Sequence, residues 1–250
     1  MNRRDFLKHT MIGGGLVGTG LIPDNVYTAM ASNSEKTEVS KKCLVFYESR
    51  TGNTDKVAAK FKSTFVNNGW KCDMFKVDKE TDIMNPPFDF DDYYFVCVGS
   101  GLRMHSPYMP VVDIMRAKFF GRDPRPMYEG HQGKIEIPVK RDEGRSRGTD
   151  SVHRKIVFGC DPKYALVFIT YSGYDFGPKE AEPALNLLAL EIEHLKFQCI
   201  GRFSCPGRFM NDPTPYAYHG DIRDRPNEED LKKVEFFIEE NLEKIADRSA

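Results

Sequence analysis

Apolar residues along this chain fall into short runs parted by polar, glycine-rich turns, and their period switches between two and 3.6 residues. Leu44-Val45-Phe46-Tyr47 is an unbroken apolar run, and after a polar turn Val57, Ala58 and Phe61 follow at helical spacing, which predicts a strand, a turn and a helix. Trp70 to Val77 alternates like a second strand, with Trp70 at the sheet end away from any ligand. Tyr93 to Val98 is a continuous apolar run suited to a central parallel strand. Residues 99–108 then read as a loop, and Pro110 to Phe120 as a helix. Tyr164 to Thr170 predicts a fourth strand, Tyr171 to Pro178 its loop, and Lys179 to His194 a helix striped by Leu185, Leu188 and Ile192. Lys196 to Gly201 makes a fifth strand. Asn227 to Ala246 makes a last helix, whose opening Glu228, Glu229 and Asp230 suit the positive end of a helix dipole. Five strands alternating with helices argue for one α/β domain, a parallel sheet covered on both faces.

The first turn carries the chemistry. Ser49-Arg50-Thr51-Gly52-Asn53-Thr54 offers hydroxyls at Ser49, Thr51 and Thr54, a glycine able to take a positive φ, and the unpaired N–H groups of the helix start, a set that suits a phosphate. Neither GxGxxG nor GxxxxGK[ST] stands here, so the dinucleotide and P-loop readings fail. An ordinary strand, turn and helix capped by Thr54 or Asn53 is the plainer account.

The stretch resembles the flavodoxin signature, a strand ending in a Thr/Ser-x-Thr-Gly-Asn-Thr loop around the phosphate of FMN, and Ala58 stands where that family usually has an alanine in the helix. The resemblance implies a flavodoxin-like three-layer sandwich with a five-stranded parallel sheet in the order 2-1-3-4-5, and FMN as cofactor. In that order ligands collect at the carboxyl ends of the strands beside strand 1, which selects the loops at 49–54, 99–108 and 171–177. The phosphate would rest on Ser49, Arg50, Thr51, Gly52, Asn53 and Thr54. Gly99, Ser100, Gly101, Leu102 and Arg103 would line one side of the flavin ring. Thr170, Tyr171, Ser172, Gly173, Tyr174 and Gly177 would line the other. Gly101 is the candidate for a peptide that turns toward the reduced ring, and Tyr108, Tyr171 and Tyr174 are candidates to stack on it. Arg103 would raise the flavin potential by favouring an anionic reduced ring, and His105 could pass a proton to a quinone. For each, a solvent-exposed loop residue is the alternative. No catalytic residue is assigned.

Two long excursions interrupt the pattern, at about 121–161 and 202–225. Lys134 to Val139 in the first could form a short edge strand. The second, with Cys205, Phe209 and Tyr216, could close over the ligand or bind a partner.

Residues 1–31 read as an address. Asn2-Arg3-Arg4-Asp5-Phe6-Leu7-Lys8 resembles the twin-arginine export motif, Met11 to Ile22 is a weakly hydrophobic core, and Ala29-Met30-Ala31 is a small-x-small cleavage site. The apolar core is twelve residues long, against about 20 for a membrane span, so no stable transmembrane anchor is expected. Residues 32–41 read as a linker and 42–250 as the domain. The twin-arginine route carries folded, cofactor-loaded cargo, which agrees with a flavin loop and places the mature protein outside the cytoplasm, periplasmic in a cell with two membranes.

Charge changes the picture only by exclusion. The chain has a net charge of −1, and −2 without residues 1–31. Nucleic-acid binding is not suggested, nor docking by strong long-range attraction. Of six cysteines, Cys43, Cys72, Cys97 and Cys199 fall in strand-like runs as buried thiols, whereas Cys160 and Cys205 fall in loops and could pair outside the cytoplasm. No spacing points to a metal. The expected function is electron transfer by an FMN-binding protein with a redox partner protein or the membrane quinone pool. The alternatives are an FMN-dependent reductase of quinones or similar small acceptors, and a non-catalytic flavin- or partner-binding module. The oligomeric state is not legible.

Overall fold

The computed structural model describes residues 41–125, 163–173, 176–208 and 220–249. The expected signal segment, the linker up to residue 40, the edge strand at Lys134–Val139, Cys160, Tyr174, Phe209 and Tyr216 lie outside the described residues.

Five strands, β1 (Lys42–Glu48), β2 (Lys71–Val77), β3 (Phe95–Gly101), β4 (Lys163–Tyr171) and β5 (Phe197–Pro206), pair in the order β2-β1-β3-β4-β5. Every pairing is parallel. The chain therefore has the flavodoxin-like α/β sandwich. One face is covered by α1 (Asn53–Asn67) and α4 (Glu228–Ser249), the other by α2 (Met109–Phe120) and α3 (Glu182–His194).

The two faces follow from the alternation of side chains along each strand. Val45, Cys97 and Phe168 point to one side, where Val57, Phe61 and Phe65 of α1 and Val234 and Ile238 of α4 meet them. Phe46, Val98 and Val167 point to the other, against Val111, Val112 and Met115 of α2 and Leu188 and Ile192 of α3. The central strands are buried on both faces, hence their unbroken apolar runs. β2 lies at the edge and alternates between buried and exposed positions. Trp70 precedes it at the amino ends of the strands, its ring 5.6 Å from Phe65 and 5.7 Å from Phe95.

Several boundaries move for physical reasons. β3 runs on through Gly99, Ser100 and Gly101, which the sequence assigns to a loop, because small residues let the strand continue beneath bulky neighbours. A Cβ on Gly99 would fall 2.0 Å from Cζ of Phe168. β5 extends to Pro206 rather than stopping at Gly201. A register shift between Ala165 and Leu166 lets it continue past Gly201, where a Cβ would meet Leu166 and Phe237 at 2.7 Å. The second excursion therefore begins only after Pro206. Cys205 is consequently not a loop residue but a buried strand thiol, unpaired like Cys43, Cys72, Cys97 and Cys199, and burial pushes it up to about 12. α3 starts at Glu182 instead of Lys179, after a single 3-10 stretch at Gly177–Ala181. Pro183 sits in its first turn, where a missing N–H costs nothing.

Candidate functional site

The carboxyl ends of β1, β3, β4 and β5 surround a cavity of about 280 Å³. Its wall comes from Glu48, Arg50, Thr51, Asn53 and Thr54 after β1, and from Gly101, Leu102, Arg103 and Tyr108 after β3. Thr170, Tyr171 and Ser172 close it from β4, and Gly207 and Arg208 from β5. Eleven residues expected from sequence to hold a ligand, Tyr108 among them, meet here. Six others, Ser49, Gly52, Gly99, Ser100, Gly173 and Gly177, do not line it.

The loop after β1 is shaped by its glycine. Gly52 has φ +84° and caps α1 without a side chain, so no cap side chain takes up the donors that a Ser or Asp would satisfy. The backbone N–H groups of Arg50, Thr51, Gly52, Asn53 and Thr54 meet no acceptor among the described residues, and the next amide that does, Asp55 N–H, donates to Ser49 Oγ at 3.3 Å. Ser49 Oγ thus accepts from the first turn of α1, a bond that does not use its hydroxyl hydrogen. Thr54 and Thr170 share a hydrogen bond of 2.8 Å between their hydroxyls. One of the two donates, and the other keeps its hydrogen for a further acceptor. Asn53 Nδ2 donates to the Arg208 carbonyl at 2.8 Å and ties the loop to the end of β5. The close fit of Gly207, where a Cβ would lie 2.7 Å from that same Nδ2, fixes the juxtaposition.

The loop after β3 is a hairpin. Arg103 and Ser106 exchange two backbone hydrogen bonds at 2.8 and 2.9 Å, and Met104 and His105 take φ of +47° and +64° at its tip. Ser100 stiffens its base, accepting from Tyr108 N–H at 2.8 Å and donating to the Gly101 carbonyl at 2.9 Å. Leu102 N–H donates to the Thr170 carbonyl at 2.8 Å. Gly101 N–H, the candidate for a turning peptide, points to Glu48 Oε2 at 3.4 Å. Of the suggested cation pair, Arg103 lines the cavity and His105 stays exposed at the hairpin tip.

The aromatic candidates separate. The Arg50 guanidinium lies over the Tyr108 ring, 4.7 Å from its centroid. Tyr171 is buried beneath Gly173, whose added Cβ would touch its ring at 2.8 Å, and burial raises its phenol to about 12. Tyr108 is the accessible aromatic face of the described wall.

Glu48 and the β5 end, Gly207 and Arg208, are wall residues that sequence reasoning missed. Glu48 is 4 % exposed. Desolvation raises its carboxyl above the ordinary range against the pull of Gly101 N–H and Arg50, whose Nε is 3.5 Å from Oε1. The signal was present: an ionisable residue closing an apolar strand immediately before the loop.

A comparison with protein-family profiles finds no match, and no curated protein matches. Among solved structures, an archaeal flavodoxin superposes with a TM-score of 0.42 at 13 % identity, covering 82 % of this chain and 99 % of that one. The rubredoxin:oxygen oxidoreductase of Desulfovibrio gigas gives 0.46 at 15 % identity, over 82 % of this chain and 37 % of that one. A flavone reductase gives 0.43 at 10 % identity, over 78 % and 60 %. The fold of the present chain rests on its own strand order and parallel register.

Proposed function

We propose that this cavity binds FMN and that the protein transfers electrons outside the cytoplasm, to or from a redox partner protein or the membrane quinone pool. The observation that carries the reading is the run of five amides from Arg50 to Thr54 around Gly52 that meet no acceptor among the described residues, an anion cradle built without lysine. Thr51 and the Thr54–Thr170 pair add hydroxyls on the same wall. Tyr108 would offer a ring face, and the wall from Gly101 to Arg103 would meet the flavin edge. FMN supplies the redox chemistry when bound. The protein positions it, limits its contact with water and, through Arg103, favours negative charge on the reduced ring.

Titration of the purified protein with FMN, followed by flavin fluorescence, tests this. Thr51→Ala and Thr54→Ala should each weaken binding by about 0.5–1.5 kcal/mol for a neutral hydrogen bond lost, and by up to about 3 kcal/mol where the bond goes to phosphate. Unchanged affinity in both would mean that the phosphate lies elsewhere.

The extracytoplasmic placement rests on the sequence of residues 1–31. Changing Arg3 and Arg4 to lysine should retain the protein in the cytoplasm, measured by fractionating cells that express each form. Export at the unmodified rate would end the twin-arginine reading.

A further inference from the structure

The acidic wall residue is out of keeping with an anion site. Glu48 ends β1 two residues before the cradle begins and, among the described residues, it is the one carboxylate on the cavity wall. Its Oε2 accepts from Gly101 N–H of β3 at 3.4 Å, and its Oε1 is 3.5 Å from Arg50 Nε. Ser100 of β3 and Lys76 of β2 also favour its ionised form, although Lys76 is shared with Asp55 of α1 at 3.0 Å. Arg103 and Arg208 reach the same cavity from its exposed rim, where water and salt screen them. Tyr108 is held by Arg50 and contributes no formal charge.

A phosphate monoester carries close to two negative charges at neutral pH. Set on the amides of residues 50–54, it shares the cavity wall with Glu48, whose carboxylate has Arg50 as its adjacent cation at 3.5 Å. One guanidinium cannot neutralise three negative charges at close range.

Resting on the flavin reading above, we propose that Glu48 is a specificity-determining residue: it opposes a phosphorylated ligand while ionised, and it takes a proton from solvent onto its carboxylate as the phosphate binds. Arg50 is then released from the pair and free to face the phosphate. Affinity for FMN therefore falls as pH rises, because binding must protonate a group that is more often ionised in the free protein. Riboflavin, which lacks the phosphate, escapes this penalty. Selectivity for the phosphorylated cofactor becomes a function of pH, set by one side chain.

Calorimetry of FMN and riboflavin binding at about pH 7, in buffers of different ionisation enthalpy, counts the protons directly. At that pH the phosphate, with a second pKa near 6, is already mostly dianionic, and its own titration would release protons rather than consume them. The expected result is net uptake with FMN and none with riboflavin. Glu48→Gln should abolish the uptake, flatten the pH dependence of FMN affinity, and shift the preference for FMN over riboflavin about tenfold at neutral pH, the equivalent of one pKa unit. Equal proton counts and equal preference in the two proteins would overturn the proposal while leaving the flavin site intact. If neither flavin binds the wild-type protein, the flavin reading itself falls. Should Glu48→Gln fail to fold, the wild-type counts decide alone, and the absence of uptake with FMN overturns the proposal.

Discussion

Replacing Gly99 with alanine should cost about 3 kcal/mol of stability, a large fraction of what a domain of this kind possesses. Gly99 lies in the middle of the sheet, in register with Tyr47 on one side and Phe168 on the other. Its missing side chain is the space that the Phe168 ring fills: a Cβ would lie 2.0, 2.3 and 2.6 Å from three ring carbons. The ring cannot retreat, being fully buried and stacked on Phe61 of α1 at 4.4 Å between centroids. Backbone strain is not the cause, since Gly99 is not among the glycines with positive φ. Urea unfolding should show a lower midpoint with an unchanged slope. The packing account makes a second, sharper demand. Phe168→Ala alone should also destabilise, by about 3–5 kcal/mol for a large-to-small change in a core. The double substitution should then cost much less than the sum, because each change relieves the fault of the other. A Gly99→Ala protein as stable as the wild type would show that Phe168 does not occupy this space.

The same residue shows where sequence reading stops. The fold was legible because the apolar runs of β1, β3 and β4 and the helical stripes of α1 and α3 are local signals that alternate along the chain. The strand, turn and helix around residues 49–54 were legible because an apolar run, a polar glycine-bearing turn and a helical stripe follow one another locally. Gly99 was read as a ligand contact because a glycine in a loop and a glycine under a neighbouring ring look alike in one dimension. Phe168 is 69 positions away, and nothing local announces it. Ser49 and Ser100 make hydrogen bonds that the sequence does not announce: Ser49 Oγ accepts from Asp55 N–H, and Ser100 Oγ accepts from Tyr108 N–H while donating to the Gly101 carbonyl. Gly207 and Arg208 escaped notice because β5 outruns its apolar pattern. Its outer half alternates Arg202, Phe203, Ser204 and Cys205 along an edge strand, which reads as a loop.

Asp230→Ala should lose about 2–4 kcal/mol and loosen the cavity wall as well. Asp230 is 2 % exposed at the start of α4, with both carboxylate oxygens on the Arg225 guanidinium, which they hold more firmly protonated than usual. It also accepts from Asn227 N–H at 3.1 Å, and its own N–H donates to Asn227 Oδ1 at 3.2 Å, a reciprocal cap of the helix start. Removal leaves a guanidinium whose side chain is 18 % exposed without its counter-ion. That would cost about 3–5 kcal/mol in a full interior, less here because water reaches part of it, with about 1 kcal/mol more for the cap. Asp230→Asn keeps an acceptor for Asn227 N–H but not the charge, so it should fall between wild type and alanine. The functional consequence runs through the backbone: the Arg225 carbonyl accepts from Arg208 N–H at 3.0 Å, and the Arg208 carbonyl in turn holds Asn53 of the loop after β1. FMN affinity of Asp230→Ala should therefore fall even under conditions where the protein is fully folded, and FMN should raise its melting temperature less than it raises that of the wild type. Stability within 0.5 kcal/mol of wild type would mean that the ion pair and cap contribute nothing net. Lost stability with unchanged FMN affinity would confine Asp230 to the helix start and sever it from the cavity.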